Sequence, residues 1–296
     1  MKKNVFVFSA VLTALGLLTL TGTSHAALLA YDGFNYSAGN VNGDNGGTGW
    51  SGAWVSSTSP VYATVVTGTT LSYAGGSISV GGSGTALNIT GGSDGALNRS
   101  FVGTASGSEI YFSFLFQAVA GSGDEFFHFY LGDSADRFNS GGIGDFYTAA
   151  GDTHFGARVN NGTTDTTTAS SVSYTLGATY LLVGRLSTDG ATGAAGEIDQ
   201  VQLWVNPTSL TPGTASATVN ASIGLTLAAL DVFSTRTVNF AGTDQILIDE
   251  LKIGTDFASV VTPVPEPSAA ALATVGGMVV LFRRRKSATG RCANPK

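Results

Sequence analysis

Hydrophobic side chains recur at every second position through Glu109 to Val119, "EIYFSFLFQAV", with Ile110, Phe112, Phe114 and Phe116 on one face and Tyr111, Leu115 and Val119 on the other. A period of two is that of a strand, and apolar residues on both faces mark one that is covered on both sides, central to a sandwich. Asp124 to Leu131, "DEFFHFYL", follows the turn Gly121-Ser122-Gly123 and reads as its hairpin partner. Further strands are expected at "VYATVV" from Val61, "ALNIT", "LNRSFVG", "HFGARVN", "TYLLVGRLS", "IDQVQLWVN", "TVNF" and "QILIDELKIG". No segment of this body carries the longer apolar period of a sizeable helix. Many short strands between regular turn signals predict an all-β, two-sheet sandwich over residues 27–262 with no second domain.

The two chain ends break this pattern. Lys2 and Lys3 precede an apolar run from Val5 to Leu20, and the small residues through Ala26 and Ala27 follow, the layout of a secretory signal peptide over residues 1–26. Near the other end, Ser268 to Phe282 is free of charge and Arg283, Arg284, Arg285 and Lys286 follow at once. As a helix those 15 residues would span about 22 Å against a hydrocarbon core of about 30 Å. This is a short membrane helix with a basic stop, which the positive-inside rule holds in the cytoplasm.

Composition narrows the classes. Charged residues are 11%, Gly 41 of 296, apolar residues 43% and the net charge −6, which suits glycine-punctuated strands and excludes a disordered chain. With no basic cluster ahead of the C-terminus, nucleic acid is excluded as a partner. Cys292 is the one cysteine, so no internal disulfide can form.

Val264-Pro265-Glu266-Pro267, the short apolar helix and the arginine stop together resemble the PEP-CTERM sorting signal of bacterial exported proteins, also known as the ice-binding protein C-terminal domain. The resemblance covers residues 263–286. It implies an exosortase as processing partner, cleavage near Pro265-Glu266-Pro267, transient membrane anchoring, and delivery to the cell surface or an extracellular polysaccharide matrix. The polar tail 287–296 departs from the family, whose chains usually stop soon after the basic cluster. A second resemblance rests on "YDGFNYSAGN", "YLLVGRLS", "QVQLWVNP" and "ILIDELKIG", which are similar in order to concanavalin A-like, laminin-G-like jelly rolls. That fold implies first and last strands side by side, with Tyr31 to Phe34 near Leu247 to Ile253. It also implies a structural calcium near the joined ends, for which Asp32, Asp249 and Glu250 are the candidate carboxylates.

Glu197-Ile198-Asp199-Gln200-Val201-Gln202 is similar to the carboxylate strand of family 16 glycoside hydrolases. Retaining hydrolysis needs two carboxyl groups about 5–5.5 Å apart, and here Gln202 stands where the acid belongs; an amide cannot give up and recover a proton. The strand therefore argues for a non-enzymatic protein, with a secreted glycan-active enzyme or a purely structural matrix protein as alternatives. For polysaccharide binding, Trp204 shares its strand face with Gln200 and Gln202, joining a ring surface to amides. His128, alternating with Phe126 and Tyr130, reads as an ordinary sandwich histidine, and "GGSDG" from Gly91 reads as a turn.

Overall fold

The computed structural model describes residues 28–56, 62–90, 95–102, 107–121, 123–134, 136–146, 151–240 and 242–264. The signal peptide, Gly91 to Asp94 and everything beyond Val264, including Pro265, Glu266, Pro267, Arg283, Arg284 and Arg285, lie outside these residues. No helix among the described residues is long and apolar enough to cross a membrane.

Two antiparallel sheets carry the fold. The larger runs in the order β16 (Ala217–Asn220), β15 (Gln200–Val205), β14 (Thr179–Ser187), β9 (Glu109–Ala120), β18 (Gln245–Gly254), β7 (Thr85–Thr90), β4 (Ala63–Thr67) and β2 (Gly39–Asn40), and β1 (Leu28–Asp32) also pairs with β18. The smaller runs β13 (Asp165–Ser173), β12 (His154–Asn161), β11 (Asp136–Phe146), β10 (Phe126–Asp133), β17 (Val232–Val238), β8 (Gly95–Ser100) and β3 (Val55–Ser56). The protein is thus an all-β, two-sheet sandwich of jelly-roll type. First and last strands are neighbours, with Tyr31 opposite Lys252 and Asp32 opposite Leu251.

The inner faces meet through aromatic rings. Phe114 of β9 lies 4.5 Å from Phe129 of β10, and Phe116 lies 5.1 Å from Phe127. These contacts correct the expected β9–β10 hairpin. Both edges of β9 are taken by β14 and β18, and β10 instead pairs with β11 and β17 in the opposite sheet. Crossing over buries Phe127, Phe129 and Leu131 against Phe112, Phe114 and Phe116, which an in-sheet hairpin could not do.

The second apolar face of β9 is covered from outside. Tyr111 and Leu115 pack with Leu71, just ahead of the hairpin β5 (Ser72–Gly75)–β6 (Ile78–Gly81), with Ile78 and Val80 of β6, and with Phe257, Val260 and Val261 of α1 (Phe257–Val261). Asp256 caps α1 by accepting from the Ser259 amide at 2.7 Å. The buried Lys252 ammonium donates to the Thr262 carbonyl at 3.0 Å. The last described residues therefore leave the body on the outer face of the larger sheet.

Candidate functional site

On the smaller sheet, alternation sends one set of side chains inward and leaves the other as an outer face. Phe127, Phe129 and Leu131 fill the core, so His128 and Tyr130 point outward. Antiparallel register then lines up rows across the sheet. One row contains Asn98, Ser234, Tyr130, Gly142 and Arg158; the next contains Ala96, Arg236, His128, Gly144 and Gly156. A third places Ser140 beside Asn160. Together with Phe138, most of these outward residues enclose a depression of ≈ 280 Å³.

Glycines make the depression. A Cβ on Gly142 would lie 2.1 Å from the Phe129 carbonyl oxygen and 2.6 Å from both His128 Nε2 and Tyr130 Cβ; on Gly144 it would lie 1.9 Å from the Phe127 carbonyl oxygen. The rings of His128 and Tyr130 occupy that space instead, stacked with centroids 4.7 Å apart and planes at 27°. Gly142→Ala should therefore cost about 1–3 kcal/mol through overpacking, read as a lower unfolding midpoint at unchanged denaturant slope.

The electrostatics are those of a neutral floor between cations. Arg158 Nη1 lies 3.0 Å from His128 Nδ1. A guanidinium can only donate, so Nδ1 accepts and the imidazole proton resides on Nε2. Burial first, then the charges of Arg158 and Arg236, hold the His128 pKa well below the usual histidine value, so the ring stays uncharged. His128 is 1% exposed, and its Nε2 has no hydrogen-bond partner among the described residues. Arg158 is anchored at the rim by Asp165 Oδ1, 2.6 Å from Nη2. Its guanidinium carbon lies 5.2 Å from the centre of the Phe126 ring, and that of Arg236 lies 5.7 Å from the same centre. Phe138 stands at the margin, 55% exposed. The cleft thus offers an exposed ring, two amides and a hydroxyl, and two guanidiniums.

The residues singled out from sequence lie elsewhere. Trp204 is 5% exposed, packed between Tyr111 and Phe257 on the outer side of the larger sheet, and its indole N–H donates to the Gly213 carbonyl at 2.8 Å. Gln202 accepts from Arg185 Nη1 at 2.7 Å, and Gln200 donates to Asn220 at 2.9 Å. Glu197 and Asp199 hold loop backbone: Glu197 accepts from Ser222 Oγ at 2.6 Å and the Ala194 amide at 3.1 Å, and Asp199 accepts from the amides of Gly190 and Thr192.

The three proposed calcium carboxylates gather near the β1–β18 junction but have separate partners. Asp32 accepts from Arg99 Nη1, Tyr36 Oη, Trp54 Nε1 and the Phe34 amide. Glu250 accepts from Tyr31 Oη at 2.7 Å and faces the Lys252 ammonium at 3.3 Å. Asp249 keeps Oδ2 buried without a hydrogen bond. Among the described residues, no group of three or more His, Cys, Asp or Glu side chains is placed to hold a metal ion.

The cleft was not identified from sequence. The signal was there: His128, Tyr130, Arg158 and Arg236 all stand at outward positions of alternating strands. The signal is weak because "DRFNSGGIGDF", the strand that brings β10 and β12 together, has few apolar side chains to set a period of two.

No family model matches the chain, and no curated protein matches it. Among solved structures, the chain is similar to the endo-β-1,4-glucuronan lyase of the fungus Trichoderma reesei, with TM-score 0.41 and 14% identity, covering 70% of this chain and 96% of that one. It is also similar to the carbohydrate esterase vb_24B_21 of the Shiga toxin-encoding bacteriophage phi24B, with TM-score 0.39 and 11% identity over 66% and 90% of the two chains. The carbohydrate-binding module CBM66 of Bacillus subtilis aligns with TM-score 0.38 and 10% identity over 57% and 86%.

Proposed function

We propose that this chain is an exported, PEP-CTERM-sorted surface protein that binds polysaccharide, without turning it over, in the cleft of its smaller sheet. The observation that carries this reading is the exposed Phe138 ring beside the amides of Asn98 and Asn160 and the hydroxyl of Ser140. Sugar rings present apolar C–H faces to aromatic rings and hydroxyls to amides, and sites of this kind combine an apolar wall with a few placed polar groups. The sorting half rests on the sequence pattern of Val264-Pro265-Glu266-Pro267, an apolar stretch and Arg283 to Arg285. The last described residues lie on the outer face of the larger sheet, and the cleft opens on the outer face of the smaller one.

Glycan-array binding by the mature protein tests the reading. Phe138→Ala and Asn160→Ala should each weaken the best ligand about tenfold or more, a loss of roughly 1.4 kcal/mol; Asn160→Ala also loses the bond from the Gly162 amide at 2.8 Å and should lower the unfolding midpoint modestly. Binding that survives both substitutions, or no binding to any glycan, would remove the cleft from this role. The mass of the protein from its native host reports the two processing sites. A glycan-active enzyme is the second reading, favoured by an imidazole stacked on the Tyr130 phenol ring beside a guanidinium in one cleft. Product release from a polysaccharide that the protein binds, lost in His128→Gln, would select it.

A further inference from the structure

We propose that the cleft selects acidic saccharides, those bearing a carboxylate or sulfate, and seats the anionic group between Arg158 and Arg236. This rests on reading the cleft as a glycan site and adds the chemical class of its ligand.

The distribution of positive charge carries the inference. Residues 28–264 contain six Lys and Arg against 19 Asp and Glu, so cations are scarce and their placement is informative. Arg99 and Lys252 are fully buried and serve the body: Arg99 is bonded to Asp32, and Lys252 to Glu250 and Thr262. Arg185, on the larger sheet, is bridged to Glu109 and Asp189. The other three, Arg137, Arg158 and Arg236, all belong to strands of the smaller sheet, and two of them line one cleft.

Those two converge. Both guanidiniums lie within 6 Å of the centre of the Phe126 ring, although their strands are separated by β10 and β11. Asp165 anchors Arg158 at the rim, and the charges of both arginines bear on His128 at the floor, so the cleft presents a positive field that draws an anion. A guanidinium also presents paired donors that match a carboxylate or sulfate edge, which an ammonium does not. The group between them is His128, held neutral with its proton on Nε2. It adds no third charge, and it leaves at the floor of the cleft a buried polar atom with no partner among the described residues. Asn98 and Asn160 flank this centre along the outer face, where hydroxyls of the same or a neighbouring sugar would fall.

The test uses polyuronates and sulfated glycans paired with their carboxyl-reduced or desulfated counterparts, titrated against the mature protein at about 50 and 500 mM NaCl. We expect at least one acidic polymer to bind tenfold or more tighter than its neutral counterpart, and to weaken with salt as screened charge contacts do. Arg236→Gln, at an exposed position, should erase that preference and leave weak binding of the neutral form, in a variant that still unfolds cooperatively. Arg158→Gln should do the same with a modest loss of stability. Equal binding of acidic and neutral forms, abolished by Phe138→Ala, would overturn the acidic preference and leave the glycan site standing. Binding to no polymer of either kind would overturn both.

Discussion

Arg99→Met is expected to lower the unfolding free energy by about 3–5 kcal/mol, because it strands a buried carboxylate. Arg99 and Asp32 are each about 1% exposed or less, and the guanidinium is fully used. Nε donates to the Gly52 carbonyl, Nη1 to Asp32 and Tyr36 Oη, and Nη2 to Asn45 Oδ1 and the Gly46 carbonyl. Its carbon also lies 4.8 Å from the Trp50 ring centre and 5.5 Å from that of Trp54. One side chain on β8 of the smaller sheet thereby fastens Asp32 of β1, in the larger, together with Tyr36 and the segment between β2 and β3, so the loss falls on sheet-to-sheet cohesion. For a domain of this size, such a loss corresponds to a fall in Tm on the order of 10 °C. Arg99→Lys should recover little, since a single ammonium cannot reach five acceptors spread around a planar fork. In the double variant Asp32→Asn/Arg99→Met, the loss should be smaller than the sum of the single losses by more than 1 kcal/mol. Additive losses would mean that the pair is not coupled, against the geometry.

The fold was legible wherever hydrophobic alternation was strong, and the site was hidden wherever it was weak. "TYLLVGRLS" and "QILIDELKIG" correspond end to end with β14 and β18, because central strands need apolar residues that a reader can count. β11 and β13 escaped notice for opposite reasons. In β11 glycines replace side chains so that the rings of β10 can lie across it. In β13, "DTTTASSVS", most side chains are exposed or half-buried at the sheet edge, leaving little apolar signal. The β9–β10 hairpin was the natural reading of a short glycine turn between two apolar strands. Periodicity tells which residues are buried but not which sheet buries them. The adjacency of first and last strands came from resemblance alone and holds in the structure. The candidate site was legible only as a set of outward positions, since the register that assembles Arg158, His128 and Arg236 depends on strand pairing that includes His128 with Arg236, residues far apart in sequence.

Asp249→Asn is expected to stabilise the protein at alkaline pH by roughly 3–5 kcal/mol. Asp249 sits where β18 changes neighbours: Gln245 to Ile248 pair with β7, and Leu251 to Gly254 with β1. The handover is made by a bulge in which Glu250 adopts φ 54, and Asp249 Oδ1 holds it by accepting from the Glu250 amide at 2.8 Å. Burial pushes the Asp249 pKa up to about 8; Glu250 and Asp32 push the same way, while the amide hydrogen bond and Lys252 oppose them. The folded pKa thus exceeds the unfolded one, so the native protein keeps a proton that the unfolded chain gives up above its ordinary value of 3.8. Stability from this group is complete below that value. It falls by about 1.4 kcal/mol per pH unit as pH rises toward 8, and is flat above. Asparagine keeps the Oδ1 acceptor and cannot ionise, so the variant should lack this slope and overtake the native protein between about pH 4 and 6. His128 acts in the opposite sense below pH 6.5, where the unfolded chain gains a proton that the buried ring refuses, and both proteins should share that acid limb. Denaturant unfolding from pH 5 to 9 reads both effects, and parallel curves for the two proteins across that range would overturn the assignment of a protonated Asp249. Calcium bound here would require the ionised carboxylate; it would flatten the native curve, and chelator would restore the slope.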